Sequence, residues 1–180
     1  MNIKSLKIFL QCCMGCFILM FCASLVWASD PIKKSKIPDA VMKAAEKDSQ
    51  GRKLIETYSD FEEGRMVYEL RYDDGKGGWV ELNYEEEGTL IEKETRITLD
   101  QVPPQVLKAL KTRAPNLKIN TNHIEKAERY KKYSNGKAVT LIWYEFDESH
   151  DIDRGKGKKC DVEINAEGTV VVFEIEPQHK

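Results

Sequence analysis

Two short segments of the chain carry apolar residues at helical spacing, and each begins beside a proline. The first follows Pro38 and ends near Gln50-Gly51, and the second follows Pro103 and ends before Pro115. Proline is tolerated in the first turn of a helix and stops a helix when it comes later. The apolar positions that define these helices are Val41, Ala44 and Ala45 in the first, and Val102, Val106, Ala109 and Leu110 in the second. The spacing predicts two short helices with one apolar stripe each, which need a sheet to pack on.

Strict alternation of apolar and polar residues follows each predicted helix. Met66, Tyr68, Leu70 and Tyr72 fall on one side of a predicted strand, and the chain returns from Val80 to Tyr84 after a glycine-rich turn. This pattern predicts an antiparallel hairpin with one buried face. The other strand candidates are Leu54–Tyr58, Leu90–Ile97, Ile119–Tyr133, Ala138–Phe146, Cys160–Asn165 and Thr169–Ile175.

The same order of short patterns occurs twice. Ile37-Pro38 matches Val102-Pro103 at an offset of 65 residues, and Glu87-Gly88-Thr89 matches Glu167-Gly168-Thr169. A repeated pattern predicts a repeated structural unit. The predicted fold is α+β, with two tandem repeats at 37–97 and 98–176, each an N-terminal helix packed on a curved antiparallel β-sheet. Residues 29–36 are predicted to be a linker, and residues 177–180 a tail.

The N-terminal segment has the features of an export signal. Lys4 and Lys7 precede an apolar run that ends at Val26-Trp27-Ala28, which predicts a signal peptide over residues 1–28. The run is also long enough for an uncleaved inner-membrane anchor, since about 20 apolar residues span a bilayer. A lipoprotein signal through Cys16 or Cys22 is a third reading. Cleavage or anchoring gives the same prediction, a periplasmic or secreted protein that touches the membrane only through this segment if it is uncleaved.

The cysteine and charge content argues against a disulfide-stabilised domain and against a nucleic-acid-binding protein. Four of the five cysteines lie before residue 29, so Cys160 has no partner for an intrachain disulfide, and its alternation with Val162 and Ile164 predicts a buried strand position. Two of the 28 basic residues and none of the 30 acidic residues lie in the first 28 positions, which leaves a mildly acidic remainder. No basic stripe is present, so no nucleic-acid partner is expected.

The chain resembles the PepSY-like family, whose fold is related to the β-lactamase inhibitor protein. The matching segments are Ile37-Pro38 with Val41 and Ala44, Val67-Tyr68-Glu69-Leu70, Val80-Glu81-Leu82 and Glu87-Gly88-Thr89-Leu90, with a second set around Pro103, Tyr144, Val162 and Gly168. The resemblance implies a periplasmic or secreted binding protein. It also implies, at the level of the family, an inhibitor or modulator of an extracytoplasmic protein.

The sheet face opposite the helices is the predicted binding surface. Trp79 and Trp143 fall on this otherwise charged face, and tryptophan is enriched where proteins bind partners. The alternative is that both rings pack against another part of the chain. The predicted contact residues for a protein or peptide of the cell envelope are Trp79, Glu81, Glu69, Arg71, Trp143, Glu145 and Glu163.

An acidic loop offers an alternative function as a small-ligand or metal sensor. Asp147, His150, Asp151 and Asp153 are its candidate ligands, but they do not follow a calcium-loop pattern and a run of glycine and lysine comes next. The favoured interpretation is therefore an acidic hairpin loop with no metal. The sequence contains no nucleophile elbow, metalloprotease motif or phosphate loop, and so neither an enzymatic activity nor a cofactor is expected.

Overall fold

A computed structural model describes residues 30–62, 64–132, 136–151 and 159–175 of the chain. Ten β-strands and two α-helices make up most of this part. The strands are β1 (Asp30–Pro31), β2 (Leu54–Glu62), β3 (Arg65–Asp73), β4 (Trp79–Glu85), β5 (Leu90–Arg96), β6 (Leu117–Lys118), β7 (Ile124–Lys132), β8 (Ala138–Asp151), β9 (Lys159–Asn165) and β10 (Val171–Ile175).

All of these strands belong to one antiparallel sheet. Nine of them lie in the order β1-β2-β3-β4-β5-β7-β8-β9-β10, and the two-residue strand β6 pairs with the far end of β8. Neighbours along the chain are mostly neighbours in the sheet, so most connections are hairpins. Their tight turns contain glycines with positive φ, such as Gly75 and Gly88.

The two helices are α1 (Asp39–Asp48) and α2 (Pro104–Arg113). Each begins directly after a proline, Pro38 or Pro103, whose extended backbone leads into the first turn. α1 ends where Gln50 and Gly51 both adopt positive φ. α2 is followed by Ala114 and Pro115. Neither of these helices, within the described residues, has the length and apolar character needed to cross a membrane.

Both helices pack on the same face of the sheet and bury two apolar clusters there. α1 contacts β4, and its Val41 shares a cluster with Leu82. α2 contacts β9 and β10, and its Val106 shares a second cluster with Ile164. Cys160 lies in this second cluster at 1% exposure, which confirms the prediction of a buried strand position.

The prediction of an α+β fold with two tandem helix-on-sheet repeats is wrong. Strand β5 pairs with β7 from Glu92↔Arg129 to Arg96↔Glu125, so the strands of both halves form a single antiparallel sheet domain. Alternation within a strand reports which residues face the core, but it contains no information on which edge strands pair. Because each half buries too little surface by itself, joining the sheets edge to edge is the more stable arrangement.

The flanking segments were predicted to be a linker and a tail. In the structure, residues 30–31 form β1 on the edge of β2, and Lys34–Lys36 form a single 3-10 turn. The signal peptide over 1–28 and the tail over 177–180 lie outside the described residues.

Candidate functional site: the helix-free face of the sheet

The face of the sheet opposite the helices is rich in charged and aromatic residues. Residues directly opposite each other on paired strands point to the same face of the sheet. The helix-free face can be followed across five strands through the paired residues Arg71↔Glu81↔Glu94↔Ala127↔Trp143. We call this surface the polar face. Its members include Glu56, Tyr58, Glu69, Arg71, Trp79, Glu81, Asn83, Glu92, Glu94, Glu125, Arg129, Trp143, Glu145 and Glu163.

Arg71 organises one half of the polar face. Its Nε donates to Glu81 at 2.9 Å, and its Nη1 donates to Glu56 at 3.0 Å. The guanidinium carbon lies 4.3 Å from the centre of the Trp79 ring and 5.7 Å from that of Tyr58. A guanidinium held by carboxylates and stacked on aromatic rings loses little freedom when it meets a further group.

Arg129 organises the other half in a similar way. It donates to Glu92 at 2.6 Å, to Glu145 at 2.7 Å and to Glu163 at 2.9 Å, and it lies 5.2 Å over the Trp143 ring. Burial alone lowers the pKa of the Arg129 guanidinium, but the surrounding carboxylates outweigh burial and raise it above its ordinary value. Arg129 is therefore a permanent cation that links strands β5, β7, β8 and β9.

Three carboxyl groups meet between these two arginine centres. Glu94, Glu125 and Glu145 come from the neighbouring strands β5, β7 and β8, and each offers an oxygen within 4.8 Å of the others. We call this group the glutamate cluster. Glu125 is 6% exposed and Glu145 is 8% exposed. Removal from water is the main cause that raises the pKa of each carboxyl, to about 7 for Glu125, and the neighbouring carboxylates add to it for Glu94 and Glu145.

Asn83 extends the glutamate cluster onto β4. Its Nδ2 donates to Glu94 Oε1 at 3.0 Å, so the side chain points into the cluster. The residue is 7% exposed, and its Oδ1 is buried without a hydrogen-bond partner among the described residues. A buried carbonyl oxygen without a partner destabilises a fold by about 1 to 3 kcal/mol.

The structure places all seven residues predicted for partner binding on the polar face. Three of them, Glu69, Glu81 and Glu145, are buried, where an open face was expected. Trp79 and Trp143 are half-buried, and each stacks with an arginine of the same face. The rings therefore combine the two alternatives considered from the sequence, since each packs against a neighbour and still presents surface to solvent.

The four candidate ligands of the acidic loop do not come together among the described residues. Asp147 lies within β8, where burial raises its pKa to about 8, while His150 is exposed and faces Lys118 and Lys159 across the sheet. The side chain of Asp151 and all of Asp153 lie outside the described residues. In the part of the chain that the structure describes, the glutamate cluster is the group with metal-ligand spacing.

Glu94, Glu125 and Arg129 were not identified as site residues from the sequence. The sequence pattern predicted a strand over Ile119–Tyr133, but the alternation of Glu125, Ala127 and Arg129 within it was not assigned to a face. Glu94 stands two residues after Glu92 in a strand, so both carboxyls share a face. A pair of acids at this spacing was the available signal, although it is common on solvated strands.

Comparisons with known proteins support the fold. No protein-family model matches the chain, and no curated protein matches it. Among solved structures, a DUF2874 family protein from Bacteroides ovatus aligns with a TM-score of 0.51 at 14% identity, over 77% of this chain and 86% of that one. A DUF2874 family protein from Bacteroides uniformis gives a TM-score of 0.52 at 14% identity, over 77% and 88%.

A third DUF2874 protein, from Bacteroides vulgatus, aligns with a TM-score of 0.36 at 10% identity, over 83% of this chain and 98% of that one. The proposed resemblance to the PepSY-like family is wrong, because the similar structures belong to DUF2874 and no family model supports PepSY. The inhibitory role that the resemblance implied loses its basis with it. The chain shares its fold with DUF2874 proteins of known structure, and this likeness specifies neither a ligand nor an activity.

Proposed function

We propose that this chain is a periplasmic, non-enzymatic binding protein that uses its polar face to bind a basic segment of another protein. The observation that carries the proposal is the pair of arginine–tryptophan stacks, Arg71 on Trp79 and Arg129 on Trp143, on a face that neither helix covers. The signal peptide predicted over residues 1–28 supports a partner in the cell envelope.

Preorganisation supports a binding role for these stacks. The carboxylates of Glu56 and Glu81 fix Arg71, and those of Glu92 and Glu163 help to fix Arg129. Side chains that are already ordered lose little conformational entropy when a partner arrives. Half-buried tryptophans also supply contact area at small entropic cost, and tryptophan and arginine are among the residues that most often dominate binding energy.

Charge supports a basic partner. Outside the glutamate cluster, five glutamates contribute to the polar face, at positions 56, 69, 81, 92 and 163, while Arg71 and Arg129 lie among them. An excess of carboxylates attracts lysine and arginine side chains and disfavours acidic ones. We therefore expect the contacting segment of the partner to carry a net positive charge and its affinity to fall as salt increases.

Capture from periplasmic extract tests the proposal. The wild-type chain, recovered after export, is compared with a Trp79→Ser/Trp143→Ser variant and with Phe61→Ser as the matched control. Phe61 is an aromatic residue at 60% exposure near the end of β2, and it lies on the opposite face of the sheet from Tyr58 and Glu69. We expect one protein to be captured by the wild type and by Phe61→Ser, and to be lost with the double tryptophan variant.

A second variant covers the case in which the tryptophan substitutions unfold the protein. Glu56→Lys reverses one charge at a side chain that is about half exposed and leaves the stacked rings in place. Purified partner should bind this variant at least roughly threefold more weakly at low salt, with less difference at about 0.5 M salt. Equal capture by all variants, or a captured protein whose affinity does not respond to salt, would contradict the proposal.

A further inference from the structure

We propose that Glu94, Glu125 and Glu145, together with the amide oxygen of Asn83, form a binding site for a hard divalent cation of the Ca²⁺ type. This inference goes beyond partner binding and assigns a ligand to the interior of the polar face. The site differs from the acidic loop considered from the sequence, because its ligands come from four neighbouring strands and not from one loop.

The distances fit a cation. Ca²⁺ binds oxygen atoms at about 2.3–2.6 Å, so two ligand atoms on opposite sides of the ion are about 5 Å apart at most. The three carboxylate oxygens of the glutamate cluster all lie within 4.8 Å of one another, so each pair of them is close enough to contact the same ion. The sheet fixes this arrangement, since Glu125 pairs directly with Glu145 and Glu94 lies on the strand beside them.

The balance of charge also calls for a cation. Arg129 contacts Oε1 of Glu145, which leaves the second oxygen of that carboxylate available. Neither Glu94 nor Glu125 makes an ion pair with a basic side chain within the described ranges 30–62, 64–132, 136–151 and 159–175. Glu125 is buried and Glu94 is half-buried. Carboxylates removed from water without a counter-charge are strongly destabilising, so protons or a metal ion must neutralise them.

Asn83 supplies the independent observation that points to a ligand. It is more than nine-tenths buried and its Nδ2 already donates to Glu94, yet its Oδ1 has no hydrogen-bond donor among the described residues. Side-chain amide oxygens are common ligands of Ca²⁺. A cation held between the carboxylates gives this buried oxygen the partner that the protein does not provide.

The types of ligand atom in the site favour some metal ions over others. All four ligands are oxygen atoms, and neither histidine nor cysteine is part of the glutamate cluster. Zn²⁺ prefers nitrogen and sulfur ligands, and Mg²⁺ requires a small octahedral shell in which it keeps several waters. A site with three carboxylates and one amide oxygen suits Ca²⁺ better than either.

Calorimetric titration of the exported chain with CaCl₂ tests the site, after treatment with a chelator and at pH 7.5. We expect one Ca²⁺ per chain and a Tm that rises with Ca²⁺ concentration, because a ligand that binds only the native state stabilises it. Mg²⁺ should bind at least roughly tenfold more weakly than Ca²⁺.

Two substitutions and a control locate the site. Glu125→Gln keeps the shape of the side chain and removes one ligand charge, so it should weaken Ca²⁺ binding at least roughly tenfold, and Asn83→Ala should weaken it several-fold. Glu56→Gln removes the same charge from the same face at a position paired with Arg71, and should leave the affinity within about twofold.

Folding of each variant is checked by circular dichroism. Because Glu125→Gln removes a source of repulsion, it should be folded and no less stable than the wild type without metal. Absence of both heat and Tm shift at millimolar Ca²⁺, or equal loss of affinity in Glu56→Gln and Glu125→Gln, would overturn the site. These titrations use the isolated protein, so their outcome is separate from that of partner capture.

Discussion

Gly88 lies directly against the backbone carbonyl of Ala40 at the start of helix α1. A Cβ atom built on Gly88 would approach the Ala40 oxygen to 2.6 Å, and one built on Gly168 would approach the Gln105 oxygen of α2 to 2.7 Å. Each glycine lies in the turn after a strand, β4 or β9, and lets the first turn of a helix pack on that turn. This close approach is the structural reason for the glycine in both Glu-Gly-Thr sequences.

Replacing either glycine should therefore destabilise the fold. Gly88→Ala and Gly168→Ala add a methyl group that meets backbone atoms, which cannot move aside without displacing the helix. Both also force an L-residue into positive φ, 82° and 70° respectively. We expect a loss of about 2 to 4 kcal/mol in the free energy of unfolding, measured by urea denaturation.

Gly75→Ala distinguishes the loss of stability caused by contact with the helix from the loss caused by positive φ. Gly75 has a φ of 73°, close to that of Gly168, but no heavy atom lies within 4 Å of its hypothetical Cβ. Its substitution should cost only the conformational part, about 1 kcal/mol. Equal losses for Gly75→Ala and Gly168→Ala would show that the contact with the helix contributes nothing.

Local sequence signals predict the elements of this fold well, and they fail where distant strands must pair. Pro103 and Pro115 bracket α2 because proline is compatible with the first turn of a helix and incompatible with its continuation. Alternation from Met66 to Tyr72 predicts β3 for a similarly local reason. The pairing of β5 with β7 depends on long-range packing, which local patterns do not report. Because of this pairing, the structure has one sheet where two separate repeats were predicted.

The candidate site was predictable in part for the same reason. Side chains of a β-strand alternate between the two faces of the sheet, and this rule alone was enough to predict that Arg71, Trp79 and Glu81 share one face. The glutamate cluster arises from the register between β5, β7 and β8, and no local pattern specifies that register. The sequence also did not predict that Glu69, Glu81 and Glu145 are buried. Long charged side chains of neighbouring strands shield one another from water even where no helix covers them.

Cys160 should react with thiol reagents only when the protein unfolds. Its side chain lies in the apolar cluster beneath α2 at 1% exposure, and the four other cysteines all precede residue 29. We expect the exported chain to react with an aromatic disulfide reagent roughly a hundredfold more slowly in buffer than in 8 M urea, because reaction requires local opening. Rapid stoichiometric reaction in buffer would contradict the burial of this strand.

Loss of Arg129 should be the most harmful single change on the polar face. Arg129→Ala leaves Glu92, Glu145 and Glu163 without their shared cation, and Glu145 is buried. Removing one partner of a buried ion pair costs about 3 to 5 kcal/mol. Arg65→Ala is the matched control, because Arg65 pairs with Glu85 at a more exposed position, and it should cost about 1 kcal/mol or less.

The Arg129→Ala loss should also depend on pH. The carboxylates that lose their counter-charge can be neutralised by protons, so the destabilisation measured by urea unfolding should be smaller at pH 5 than at pH 8. Arg129→Lys should recover only part of the stability, because an ammonium cannot contact three carboxylates in the planar geometry of a guanidinium. Full stability of Arg129→Lys would show that charge alone, without this geometry, is sufficient.

Without metal ions, the protein should become less stable as pH rises from about 5 to 8. Burial raises the pKa of Glu125 to about 7 and that of Asp147 to about 8, so the folded state keeps protons that the unfolded state releases above about pH 4.5. Stability associated with a raised pKa is fully present below the unfolded pKa and disappears as pH passes the folded pKa. The charged groups that act on Glu125 from neighbouring strands are Glu81, Arg71 and Arg96, beside the hydrogen-bonded Glu94.

Urea denaturation at several pH values in the presence of a chelator measures this effect. The free energy of unfolding should fall by roughly 2 kcal/mol or more between pH 5 and pH 8, and Glu125→Gln should flatten the profile because its side chain does not titrate. Glu56→Gln should keep the wild-type slope, since Glu56 lies at the exposed margin of the polar face. A free energy of unfolding that rises toward pH 8 in the wild type would mean that these carboxyls ionise in the folded protein as easily as in water. In that case repulsion within the glutamate cluster would not be present.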